Sequence, residues 1–139
     1  MLVLDTNHFR ELSNQTSVGD KLRGRLAAAN QPVVTSVVTA EESLRGWLAK
    51  LASFRDVTEQ IIAYRKLGDA IQMLSDFTLL QWDAESAARF QAFRKQGIRI
   101  GTMDLKIACI TLEYDSTLLT RNTVDFSKVP GLRFANWLD

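Results

Sequence analysis

Four stretches of the chain put a carboxylate where a short apolar run gives way to a helix or turn. They are Leu4-Asp5-Thr6-Asn7, Thr39-Ala40-Glu41-Glu42, Gly101-Thr102-Met103-Asp104 and Asn122-Thr123-Val124-Asp125. Carboxylates packed closely repel one another, and without a cation some of them would be driven to bind protons. A hard divalent ion such as Mg²⁺ or Mn²⁺ relieves that conflict, because such ions prefer oxygen ligands. Mg²⁺ binds one or two carboxylates, keeps several waters, and can add a phosphate oxygen to its shell. It acidifies a bound water and offsets charge growing on the phosphate, so a phosphodiester can be cut by direct attack of water. No Ser, Cys or His nucleophile is then needed, which suits a chain with one histidine and one cysteine.

Taken singly, each acid has a plainer reading. Asp5 could be a turn acid or a helix cap, and Asp104 could complement a helix dipole. Asp125 alone reads as a solvated or capping residue, and Glu42 alone as surface. Glu41 and Glu42 point to different helix faces, so which of the two belongs to a site stays open. Only a fold that brings these positions together would make them one site.

The elements that must do so alternate short β-branched runs with longer helical stretches, a pattern that predicts a parallel sheet covered by helices on both faces. Leu2-Val3-Leu4 reads as a buried strand. Helical sequence follows around residues 7–14 and 18–30, and Pro32 then precedes a second strand at Val33-Val34-Thr35. A helix is expected from about Thr39, with Leu44, Trp47, Leu48 and Leu51 on one stripe. A second long helix is expected over 54–75, with Val57, Ile61, Tyr64, Leu67, Ile71 and Leu74 as its core stripe. Phe77 to Leu80 reads as a strand, and Asp83 as the N-cap of a helix carrying Ala87, Phe90 and Phe93. Met103 to Tyr114 is apolar nearly all round, so that helix is expected to be buried. Thr117 to Thr120 is a further strand, and Leu132-Arg133-Phe134 a last one at the edge. In an open parallel sheet the reactive crevice lies beyond the carboxyl ends of the strands. Asp5, Glu42 and Asp125 would emerge at that edge, and Asp104 could reach it from a helix N-terminus.

A length of 139 residues suits a single domain, with apolar residues at 46% and charged residues at 24%, close to the average for soluble proteins. One cysteine, Cys109, excludes an internal disulfide and fits a reducing compartment. The start, Met1 to Asp5, lacks the basic and apolar regions of a signal peptide, and no apolar run approaches the ~18 residues of a membrane span. A cytoplasmic location is expected, with no membrane partner. The net charge of +1 lacks the basic excess of a dedicated duplex-DNA binder.

At its acidic motifs the chain resembles the PIN-domain family, and within it the VapC-type toxins of bacterial toxin–antitoxin pairs. The resemblance runs nearly end to end. It rests on Leu4-Asp5-Thr6-Asn7, on Ser36-Val37-Val38-Thr39-Ala40-Glu41-Glu42-Ser43-Leu44-Arg45-Gly46, and on Gly101-Thr102-Met103-Asp104-Leu105-Lys106-Ile107-Ala108. It closes with Leu119-Thr120-Arg121-Asn122-Thr123-Val124-Asp125-Phe126 and continues to Asn136-Trp137. It implies an α/β fold, a three-layer α/β/α sandwich with a short, mainly parallel central sheet, spanning 1–139 as one nuclease domain. It implies a Mg²⁺-dependent endoribonuclease, with Mn²⁺ as a substitute, that forms a homodimer and is inhibited by a small cognate antitoxin docking near the site. Asp5, Asp104 and Asp125 would then be the metal-binding aspartates, Glu42 the helix glutamate, and Asn122 an auxiliary polar neighbour. The segment 53–77 is longer than in compact members of the family and could cover a dimer or antitoxin surface.

The remaining candidates are weaker. His8, at a helix start, is expected to be structural or exposed, and Cys109 an inert core residue. Trp47, Trp82 and Trp137 could stack bases, though packing is the plainer role. Arg89, Arg94, Lys95 and Arg99 form a basic stretch that could hold RNA phosphates or be a solvated helix face. Two rival functions stand beside the nuclease. An aspartyl-phosphate phosphohydrolase also begins with Leu-Val-Leu-Asp but needs a second aspartate where Asn7 stands. A catalytically decayed RNA-binding module would leave the four acidic positions without a purpose.

Overall fold

In the computed structural model, which describes residues 1–139, the sheet is built from five short strands whose side chains alternate strictly between two cores. The strands are β1 (Leu2–Leu4), β2 (Val33–Ser36), β3 (Leu79–Leu80), β4 (Thr117–Leu119) and β5 (Arg133–Ala135). The helices are α1 (Thr6–Ser13), α2 (Ser17–Ala29), α3 (Val37–Ser53), α4 (Gln60–Ser75), α5 (Ala84–Lys95), α6 (Thr102–Glu113) and α7 (Thr123–Phe126). The strand order is β3-β2-β1-β4-β5, and every pairing is parallel.

Parallel neighbours require crossovers, so helices cover both faces and the strands can be apolar throughout. Val3 and Leu118 enter one core with residues of α5, α6 and α7, whereas Leu2, Leu4 and Leu119 enter the other with residues of α1, α2 and α4. This is the expected three-layer α/β/α arrangement, with a sheet that is parallel throughout and not merely in the main. As expected, α6 is the buried helix: Leu105, Ile107, Ala108, Cys109 and Ile110 are nearly inaccessible.

Local signals set the helix starts. Asp5, Thr16, Ser36 and Asp83 each accept a backbone N–H three residues on, capping α1, α2, α3 and α5. The cap at Asp83 is the one expected. Ser36 ends β2 and caps α3 at once, so that helix begins at Val37, two residues before Thr39.

Four expectations about the middle of the chain require correction. The helix expected over 54–75 begins only at Gln60. Asp56 accepts the Thr58 backbone N–H through its side chain at 2.8 Å, a local turn that competes with helix formation. Most of the stripe expected on that helix also faces outward, although Leu67 is half-buried and Leu74 buried. Val57, Ile61, Tyr64 and Ile71 are exposed, while Ala63 and Leu74 are buried. Leu48 on α3, expected on the core stripe with Leu44 and Leu51, is likewise exposed, at 56%. Ala63 and Leu74 lie on the packed side of α4, and Ile61, Tyr64 and Ile71 are left exposed. The third strand is shorter than expected, since Phe77 leaves the sheet to pack edge-on against Phe9 at 5.6 Å.

Candidate active site

The carboxyl ends of β1, β2 and β4 open into a cavity of about 190 Å³ lined by Asp5, Thr6, Asn7, Arg10, Glu42, Asp104, Ile107 and Asn122. Asp5 follows β1 directly, and its backbone N–H donates to Leu119 O at 3.1 Å, which pins it against the end of β4. Beside it, the Thr35 hydroxyl donates to Leu4 O at 2.8 Å and ties β2 to β1. Glu42 arrives one and a half turns into α3, where its Oε1 accepts the Thr6 hydroxyl at 2.6 Å. Asp104 enters from the first turn of α6, which has no side-chain cap of its own. The carboxylate is therefore not spent on capping its helix.

Asn122 joins the acids that come from different elements. Its amide nitrogen donates to Asp104 Oδ2 at 3.2 Å and to Asp125 Oδ2 at 2.9 Å. Its own backbone N–H donates to the Thr120 hydroxyl at 3.0 Å, which fixes the turn after β4. Asp125 does not line the cavity. It stands one step behind Asn122, more than a third exposed, with Lys128 Nζ at 3.5 Å from its Oδ1.

Electrostatics separate the two aspartates that Asn122 joins. Burial holds Asp104 above the ordinary carboxylate range, opposed by the Asn122 hydrogen bond and reinforced by the charges of Glu42, Asp5 and Asp125. Asp125 is held below that range by the Asn122 and Lys128 hydrogen bonds.

The structure places the two adjacent glutamates differently. Glu42 lines the cavity, whereas Glu41 is turned outward and ion-paired with Arg45. Among the other candidates, Arg89 pairs with Glu113, Arg94 donates to Ile98 O, and Arg99 donates to Arg94 O. Those three hold α5 to α6 and shape the following turn, and no residue of the basic stretch lines the cavity. Trp82 packs edge-on against Phe90. Trp137 lies under the Arg25 guanidinium, 4.9 Å from ring centroid to Cζ.

Two residues at the cavity carry more than the sequence alone suggested. Arg10 is the cation in the cavity wall, and it also lines an adjoining groove of about 470 Å³ between α1, α3 and α4. Its signal was its place one helical turn after Thr6, on the same face as the motif. His8 is fully buried and contacts Asp5 Oδ1 through Nδ1 at 3.2 Å, so it is structural and not exposed.

The donor set fits a hard divalent cation in its chemistry: carboxylates and a carboxamide, with no sulfur, around one polar cavity. No three His, Cys, Asp or Glu side chains already converge on one point at ligating distance. Mg²⁺ does not need three, since it binds through one or two carboxylates and retains waters.

Comparison with known proteins bears on the fold and the family. No curated protein matches the sequence. Among solved structures, VapBC2 from Rickettsia felis, bound to a DNA fragment from their promoter, superposes with a TM-score of 0.74 at 21% identity, covering 98% of each chain. VapBC-1 from nontypeable Haemophilus influenzae gives 0.76 at 21% identity, covering 99% of this chain and 98% of that one. A toxin–antitoxin complex from Klebsiella pneumoniae gives 0.70 at 22%, with the same coverage. These identities establish the fold that the chain shares with them. The PIN domain model matches residues 2–132, a span that contains the whole cavity wall, and the chain therefore belongs to the PIN-domain family.

Proposed function

We propose that this protein is a Mg²⁺-dependent endoribonuclease, with Mn²⁺ able to substitute, acting as the VapC-type toxin of a toxin–antitoxin pair in the cytoplasm. The observation that carries the reading is the shared cavity wall of Asp5, Glu42 and Asp104, three acids from distant parts of the chain. When bound there, the ion supplies a more acidic water and charge neutralisation at the phosphate.

The chain's own residues divide the remaining work. Asp5 and Asp104 hold the ion, while Asp125, outside the cavity wall, acts on Asp104 only through Asn122 and its own charge. Glu42, hydrogen-bonded to Thr6, sits where it can orient the attacking water or take its proton. Asn122 keeps Asp104 in place, and Arg10 offers its guanidinium to a phosphate oxygen, a geometry that planar donors satisfy well. Asn7 stands where an aspartyl-phosphate phosphohydrolase would require its second aspartate, which argues against that reading.

Two partners belong to this reading. The fold neighbours solved as VapBC pairs and as a toxin–antitoxin complex support a small antitoxin for this chain as well. The exposed Ile61, Ile62, Tyr64 and Ile71 of α4, with Leu48 of α3, supply the apolar area that a second copy or an antitoxin would cover.

Incubating the purified protein with single-stranded RNA and Mg²⁺ tests the proposal. Cleavage is expected with Mg²⁺ or Mn²⁺, to cease with chelator, and to fall by about a hundredfold or more in Asp5→Asn, the scale on which loss of one preorganised electrostatic group acts. Undiminished cleavage in chelator would refute the metal mechanism.

A further inference from the structure

The chain's one histidine stands directly behind Asp5 with no exposed surface. Its Nδ1 lies 3.2 Å from Asp5 Oδ1, and its Nε2 lies 3.2 Å from the backbone nitrogen of Trp137, 129 residues further along. A backbone N–H can only donate, so Nε2 accepts and carries no proton. The single N–H of the neutral ring is then on Nδ1, where it donates to Asp5 Oδ1. The same oxygen also accepts the His8 backbone N–H at 2.9 Å. With two donors on Oδ1, Oδ2 is the oxygen left for a ligand.

We infer that His8 is a positioning residue for Asp5. The Trp137 backbone amide locks the ring in its Nδ1–H tautomer, and the ring in turn fixes the rotation of the carboxylate that meets the metal. This rests on the reading of Asp5 as a metal ligand. The lock is itself held from outside the cavity. Arg25 Nη1 donates to Trp137 O at 3.2 Å and its guanidinium covers the indole, while Leu138 is buried in the core beneath α1 and α2. The C-terminal segment is thereby mechanically tied to the first acid of the site, although no residue of it lines the cavity.

Side-chain stereochemistry allows the two ring contacts to be separated. In His8→Asn the amide nitrogen comes to about the place of Nδ1, which keeps a donor for Asp5 and loses the acceptor for Trp137. In His8→Gln the amide oxygen reaches toward the Nε2 position, which keeps an acceptor for Trp137 and leaves Asp5 without its side-chain donor. A residue that only filled the core would not distinguish these changes in metal affinity.

Nitrogen NMR of the metal-free, unsubstituted protein reads the single histidine without overlap. A protonated Nδ1 and a bare Nε2 are expected, and a protonated Nε2 would overturn the inference. Titration with Mn²⁺ alone, followed by electron paramagnetic resonance, is expected to show binding weakened by about tenfold or more in His8→Gln, as for other partners of metal ligands. His8→Asn is expected to stay near the unsubstituted affinity, with thermal melts reporting that each variant is folded. Unchanged binding in His8→Gln, or an equal loss in both variants, would overturn the inference. Absence of Mn²⁺ uptake by the unsubstituted protein would instead refute the metal-site reading, and the ring tautomer would still decide the contact with Asp5.

Discussion

Asp104 is held above the ordinary carboxylate range by burial first and by Glu42, Asp5 and Asp125 besides. A carboxyl whose folded pKa exceeds its unfolded value favours the fold only while protonated. Its contribution is complete below the unfolded value, about 4, and is lost as pH rises through the folded one. The metal-free protein is therefore expected to lose stability over that window. Asp104→Asn, which can still accept from Asn122 through its amide oxygen, is expected to melt higher than the unsubstituted protein at neutral pH while losing about a hundredfold or more in cleavage. A lower melting temperature in that variant would mean that the charge is compensated without metal. Cys109, whose thiol burial pushes up to about 11, is expected to resist an aromatic disulfide reagent until the protein unfolds. Rapid reaction of the native thiol would contradict its place in the core. At this scale Asp5 and Asp104 were legible, because each sits at a strand end or in the first turn of a helix that chain order alone can place, whereas Glu42 was legible only as one of two adjacent glutamates. Asn122 was legible only as a polar neighbour and Arg10 only through its spacing from Thr6, and the link of His8 to Trp137 was not legible. That contact joins residues 129 apart, a pairing that no local spacing encodes.

The elements carried different amounts of their own specification. Strands β1, β2 and β4 are short β-branched or leucine runs bounded by turn residues, and α6 is apolar on all sides, so each declared itself. Helix α4 did not. Its period of three and four is genuine, but the face with the largest apolar residues is exposed and the face with alanines is packed. Hydrophobic periodicity identifies a helix without saying which of two apolar faces meets the core. Close approach of backbones matters also between α1 and α2. A Cβ on Gly19 would lie 2.5 Å from Glu11 O and 2.6 Å from Asn14 O, atoms of the backbone that cannot swing aside. Gly19→Ala is expected to cost about 1–3 kcal/mol, as overpacking does elsewhere, measured by urea unfolding. A neutral result would show that the turn between the two helices yields more easily than its geometry indicates.

For the molecule as a whole, strand order turns separate motifs into one cavity. Chain order runs β1 to β5, but β1 is central, with β2 on one side and β4 on the other. The ends of those three strands therefore meet, and α6 brings Asp104 to the same place. The alternation of strands and helices made a parallel α/β sheet legible, while the adjacency of β1 and β4 is a property of packing that the local runs do not carry. No helix is long and apolar enough to cross a membrane. The exposed apolar face of α4 is the surface our reading gives to a protein partner. Ile61→Arg with Ile62→Arg is expected to weaken self-association or antitoxin capture in sedimentation experiments while leaving cleavage intact. Retention of both complexes would remove that face from the account. The central claim, that Asp5 and Asp104 share an ion, is tested most directly by anomalous scattering from a crystal soaked in Mn²⁺. A peak in the cavity touching oxygens of both aspartates is the predicted result. A peak bound away from them, or none at saturating Mn²⁺, would contradict it.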